Sequence, residues 1–195
     1  MRIDLRILAF TWLVVAAQFA CGQAEDPGIK TDPNRKYTVV PIREETDGKK
    51  IASAYPELKK QADVLRTAFM NEDFERYADF MHPVALEAVG GREGFVTDLR
   101  KGRSNLRSNG AEFESYTIGN PAQLIEIKNR IFIVLPYETK MRHSQRLTTE
   151  EGNILAVSES NGRDWKFIRA TSKERLRFLY PDVVDRLKFS ESRMR

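Results

Sequence analysis

The sequence predicts a segregated α+β domain, with helices first and a run of strands after them, and three observations carry that prediction. Between Tyr55 and Ser108 apolar residues recur three and four apart, the period of a helix with one buried face. From Phe113 to Ala170 the apolar runs become short, rich in Ile, Val, Leu, Phe and Trp, and bounded by Asn, Gly or Pro, as antiparallel strands are. The change of period falls at Asn109-Gly110, a pair that favours a turn.

In the helical half, Leu58, Ala62, Leu65 and Phe69 share one face, with Lys59, Lys60, Asp63 and Arg66 opposite. Pro56 suits the first turn of that helix, where its missing N–H costs nothing. Phe74, Tyr77, Ala78 and Met81 then mark a second helix ended by His82-Pro83, because the residue before proline is pushed out of the helical region. A short turn of helix over Val84 to Val89 stops at Gly90-Gly91, where adjacent glycines allow a reversal. Phe95, Leu99 and Leu106 predict another helix from Arg92 to about Ser108, whose Arg100, Lys101, Arg103 and Arg107 read as a solvated face.

In the strand half, Phe113 to Ile118 alternates and Gly119-Asn120-Pro121 turns. Strands follow at Leu124 to Lys128 and Ile131 to Met141, with Asn129 at the hairpin tip. Pro136 cannot donate to a ladder, so a bulge or bend is expected there. Alternation places Ile131, Ile133, Leu135 and Tyr137 on one face and Phe132, Val134 and Glu138 on the other. Thr148 to Gly152 reads as a turn leading into the last hairpin, whose tip is Asn161-Gly162, with Trp165 folding back on the sheet. A short closing helix carries Leu176, Leu179 and Tyr180, a final turn carries Val183, Val184 and Leu187, and residues 189–195 read as a polar tail.

A chain of 195 residues, 41% hydrophobic, is long enough for one sizeable core. Its 32 basic and 28 acidic residues are interspersed, and the absence of a long basic run points away from a nucleic-acid partner. Two histidines and one cysteine leave almost no material for a catalytic zinc site, and no cofactor motif occurs, so neither metal nor cofactor is expected.

The first 24 residues form a separate object. Arg2 and Arg6 precede an uncharged apolar run of eleven residues, Ile7 to Ala17, which is too short to span a membrane and reads as a secretory signal peptide. Phe19-Ala20-Cys21-Gly22 resembles a bacterial lipoprotein signal, in which Cys21 becomes the lipidated N-terminus, although Gln18 departs from that pattern. Ordinary cleavage after Ala24 would instead discard Cys21. The expected location is the periplasm or the membrane surface, with a lipid anchor as the sole membrane attachment. Residues 25–54 carry three of the eight prolines and many charges, and read as a flexible linker in which only Tyr37 to Ile42 resembles a strand. The folded domain is therefore expected over residues 55–188.

The element order resembles the nuclear transport factor 2-like superfamily over about Tyr55 to Leu187. The strongest local part of the resemblance looks like an exported bacterial branch of it, carried by Tyr77-Ala78-Asp79-Phe80-Met81-His82-Pro83, by Gly90-Gly91 and by Ser158 to Phe167. The resemblance implies helices packed on a curved antiparallel meander that closes into a cone, with a short C-terminal helix. It further implies a small apolar ligand inside the cone and a homodimer through the outer sheet face.

Two chemistries compete for such a cone. In one, His82 is a general base held by Asp79, three residues earlier, with Tyr137 supplying a hydroxyl, and Tyr77, Tyr116 and Thr139 lining the cavity. That set would make a small isomerase or dehydratase. In the other, His82 caps a helix end and the tyrosines are core residues with hydrogen-bonded hydroxyls. The chain is then a non-catalytic domain that binds a ligand or a protein, and this is the expectation carried forward. The turn Ser158 to Trp165 looks like the Asp-box of sialidases, with Ser160 where the Asp belongs, but it occurs once and signals hairpin geometry alone.

Overall fold

The computed structural model describes residues 41–170 and 173–195. The signal segment, Cys21 and the linker up to residue 40 lie outside the described residues. Element order is β1 (Ile42–Glu45), α1 (Gly48–Ala54), α2 (Pro56–Met70), α3 (Phe74–Phe80), α4 (Pro83–Glu87), α5 (Gly91–Ser108), β2 (Ala111–Ile118), β3 (Gln123–Ile127), β4 (Arg130–His143), β5 (Arg146–Ser158), β6 (Lys166–Arg169), α6 (Lys173–Leu179) and β7 (Arg193–Met194). This is an α+β fold with one unclosed, antiparallel, seven-stranded sheet.

Two long strands organise the sheet. β4 and β5 pair without interruption from Ile131 opposite Ser158 to His143 opposite Arg146. On its other side β4 meets β3 with its first half and β2 with its second. β5 likewise meets β6 near one end and β7 nearer the other.

Both faces of the sheet are buried around Ile131 to Leu135 and Ile154 to Val157. Ile131, Ile133, Leu135 and Tyr137 face the helices with Leu58, Leu65, Phe69 and Tyr77, as alternation predicts. Phe132, Val134, Leu155 and Val157 face the opposite way and pack under Leu176, Tyr180, Val183, Val184 and Leu187. Two buried amides fasten that returning segment. Gln123 donates to the Arg186 carbonyl at 2.9 Å and accepts from the Lys188 N–H at 2.8 Å, while Asn153 donates to the Ser190 carbonyl at 2.7 Å and accepts from its hydroxyl at 3.0 Å. The chain's own residues 176–187 therefore cover the apolar outer surface around Phe132 and Leu155.

Five local expectations change. Residues 42–54, inside the stretch expected to be linker, are structured: β1 pairs with β3, Asp47 caps α1 by accepting from the Lys49 N–H at 2.9 Å, and Ile51 is buried. The high charge of that stretch hid the apolar anchors Ile42 and Ile51. Pro136 sits in unbroken register opposite Asn153, because its carbonyl still accepts from the Gly119 N–H at 2.8 Å; the register shift lies in β2, between Phe113 and Ser115. Thr148 to Gly152 is strand, and the hairpin turns at Ser144, whose φ is 56°. Arg103 is buried rather than solvated, its guanidinium 4.7 Å from the Phe113 ring centre and its Nε 2.9 Å from Glu72. Part of the polar tail, finally, is β7.

At the paired glycines and at Asn161-Gly162 the turn chemistry is as read. Gly90 and Gly91 have φ of 84° and 79°, Asn161 and Gly162 have φ of 56° and 82°, and the buried Trp165 donates its indole N–H to the Gly162 carbonyl at 3.0 Å.

Candidate functional site

The helix-side core does not close completely. A cavity of about 30 Å³ remains between α2, α3 and the sheet, lined by Leu65, Phe69, Tyr77, Met81, Tyr116, Tyr137, Thr139, Ile154, Phe167 and Arg169. That volume holds about one water molecule. Each polar group arrives there for a local reason. Tyr77 lies in the middle of α3, which starts at Asp73 with its side chain accepting from the Arg76 N–H at 3.2 Å. Tyr116 comes from β2 after the register shift, opposite Thr139. Tyr137 and Thr139 are alternate inward positions of β4.

The polar centre is a three-residue network. The Tyr137 hydroxyl donates to Glu150 at 3.1 Å and accepts from Arg169 Nε at 2.8 Å. Arg169 Nη2 also pairs with Glu150, and its guanidinium lies 5.0 Å from the Tyr137 ring centre. Glu150 stands opposite Thr139 on β5, and Arg169 stands opposite Ile154 on β6, so three strands converge on one phenol. Burial pushes Tyr137 up to about 12, with Arg169 opposing the shift and Glu150 adding to it. Burial likewise raises Tyr77 to about 12 and Tyr116 well above its ordinary value. All three hydroxyls keep their protons at neutral pH and offer hydrogen bonds rather than a base.

His82 and Asp79 lie elsewhere. His82 caps α4, its Nδ1 accepting from the Val84 N–H at 3.3 Å, and its Nε2 meets the Tyr180 hydroxyl at 2.8 Å. Its ring is therefore neutral with the proton on Nε2, and burial lowers its pKa, with Lys166 acting in the same direction and Glu159 and Glu87 opposing. Asp79 is bonded instead to Arg92 at 2.9 Å and is largely exposed. Tyr77, Tyr116, Tyr137 and Thr139 thus share the cavity, while His82 and Asp79 are absent from its lining and not bonded to each other. Sequence reading missed Glu150 and Arg169. The available signal was parity, since both are inward positions of their strands, but placing the hairpin turn at Thr148 to Gly152 removed Glu150 from any strand.

A second, more open space lies on the outer face beside Pro136. It measures about 450 Å³ and is lined by Thr117, Gly119, Pro136, Tyr137, Glu138, Glu151, Gly152, Ser190, Glu191 and Arg193. Its size is that of a small-molecule or peptide site, which the inner cavity is not.

No family model, curated protein or solved structure matches this chain. Among the described residues no cluster of His, Cys, Asp and Glu is arranged to hold a metal ion, and no helix is long and apolar enough to cross a membrane.

Proposed function

We propose that this chain is an exported or lipid-anchored, non-catalytic binding domain that engages its ligand or partner at the outer cleft beside Pro136. The observation that carries this reading is the contrast of volumes: about 30 Å³ inside against about 450 Å³ outside. Turnover of an organic substrate needs room for the substrate beside the acid and base, and the interior is filled by aromatic side chains. The separation of His82 and Asp79 from Tyr137 supports the same reading.

The fold is that of the nuclear transport factor 2-like superfamily, in which α1 to α5 close the mouth of a cone made by β2 to β6. The helices-then-strands order, the two long central strands and the aromatic cluster around Phe69 support it. Export rests on Ile7 to Ala17, and anchoring rests on Cys21.

Two measurements test these claims. A photo-crosslinking residue placed at Thr117, in the cleft, is expected to give adducts in the native envelope; adducts only from the Phe178 position, away from the cleft, would overturn the siting. Mass spectrometry of the native protein is expected to find an acylated Cys21, and an N-terminus at Glu25 would remove the anchor.

A further inference from the structure

β5 carries an incompletely used edge. One side pairs with β4 over the whole strand, but on the other side β6 covers only Ile154 to Val157. Beyond that the Asn153 carbonyl accepts from the Ala170 N–H at 2.9 Å, and β7 meets Glu150 and Glu151, extended by the mutual backbone bonds of Thr149 and Arg195 at 2.9 Å. Among the described residues no strand pairs with that edge at Arg146 to Thr148, where Leu147 is 46% exposed. A bare strand edge is a template for another chain.

We propose that this edge of β5, residues 146–151, receives an extended basic segment of a partner protein, and that residues 193–195 occupy it in cis as a removable stand-in. The inference rests on the binding reading above and names the partner's chemistry.

The hold on the stand-in is slight. Arg193 and Met194 are exposed, and the nearby ion pairs are long, Arg195 to Glu151 at 3.7 Å and Arg193 to Glu191 at 3.8 Å. Just before it, Ser190 is fastened to the buried Asn153, so residues 191–195 can leave the edge without uncovering the core. The occupant's chemistry is written in what sits there now, Arg-Met-Arg in extended form along Thr149 to Glu151, with Arg195 against the Glu151 carboxylate. When it leaves, Glu151 loses its arginine and lines the cleft together with Glu138. An incoming strand with basic residues at alternate positions restores that pairing and reaches Leu147 with an apolar one.

The test is fluorescence anisotropy with a labelled peptide copying residues 189–195, added to the full chain and to a variant lacking 191–195. The truncated variant is expected to bind at least about tenfold more tightly, since the cis segment competes at high effective concentration. A peptide with both arginines replaced by glutamate is expected to lose about tenfold or more, and Glu151→Arg in the truncated variant to abolish binding. Arg195→Pro in the full chain, which deletes the N–H donated to Thr149, is expected to raise affinity even should the truncation fold poorly. No binding to either variant, or equal binding of both peptides, would overturn the proposal. So would a full-length dimer held by exchanged tails, which would make a second copy the occupant. Crosslinks from Thr117 that persist without peptide binding would remove this occupant and leave the binding site standing.

Discussion

The ring of Tyr137 packs against its register partner Gly152, so close that a Cβ at residue 152 would stand 2.7 Å from the phenol oxygen. A glycine that reads as a turn signal in sequence is instead the hollow into which the central tyrosine of the inner cavity fits. Gly152→Ala is therefore expected to destabilise the fold by about 1–3 kcal/mol, through overpacking that displaces the Tyr137 ring. Urea denaturation with an unchanged slope would register it, whereas a loss below about 0.5 kcal/mol would mean that the ring moves freely.

Tyr137→Phe removes the hydroxyl that links Arg169 and Glu150. Their mutual ion pair remains, so the expected loss is about 1–2 kcal/mol, less than for Arg169→Met, which leaves Glu150 without its cation. Equal losses for the two substitutions would contradict the assigned geometry.

His82 supplies a pH dependence. Its folded pKa is lowered, so the unfolded chain binds the proton more readily. Stability is then at its full value above about pH 6.5 and falls as the pH drops from there toward the folded value, where the penalty is complete. Protonation also puts a hydrogen on Nδ1, which can no longer accept from Val84. His82→Asn keeps an N-cap without titrating, and is expected to flatten the stability profile between about pH 7 and 5. A profile identical to that of the unsubstituted chain would assign the slope to other groups.

Ile51 tests where the domain starts. It is 1% exposed on α1, within a stretch otherwise dense in charge. Ile51→Ala is expected to cost about 2–4 kcal/mol in thermal or chemical unfolding. A negligible cost would return residues 48–54 to the role of tether.

Much of the fold was legible because hydrophobic period is a local property. The two faces of β4 could be assigned from the alternation of Ile131 to Tyr137, and the positive φ angles at Gly90, Gly91, Asn161 and Gly162 follow from residues with little steric penalty there. The candidate site was half legible for the same reason. Tyr77, Tyr116, Tyr137 and Thr139 point inward by period and meet. His82 and Asp79 are separated because each found a stronger partner across the chain, Tyr180 and Arg92, which no spacing records.

By itself the sequence determined the class of fold, the order of its elements from α2 to β6, the two faces of β4 and the turn positions at paired glycines and Asn-Gly. These follow from the nearest few residues along the chain. Tertiary structure alone decided which polar groups leave the solvent: Arg103 buried over Phe113, Arg169 and Glu150 half-buried around Tyr137, and the amides of Gln123 and Asn153 clamping residues 186–190. A buried polar group is tolerated only where a distant partner satisfies it, and that partner is chosen by packing in three dimensions. The same packing lays residues 176–187 across the outer face around Phe132 and Leu155, and among the described residues leaves the edge of β5 at Arg146 to Thr148 without a paired strand.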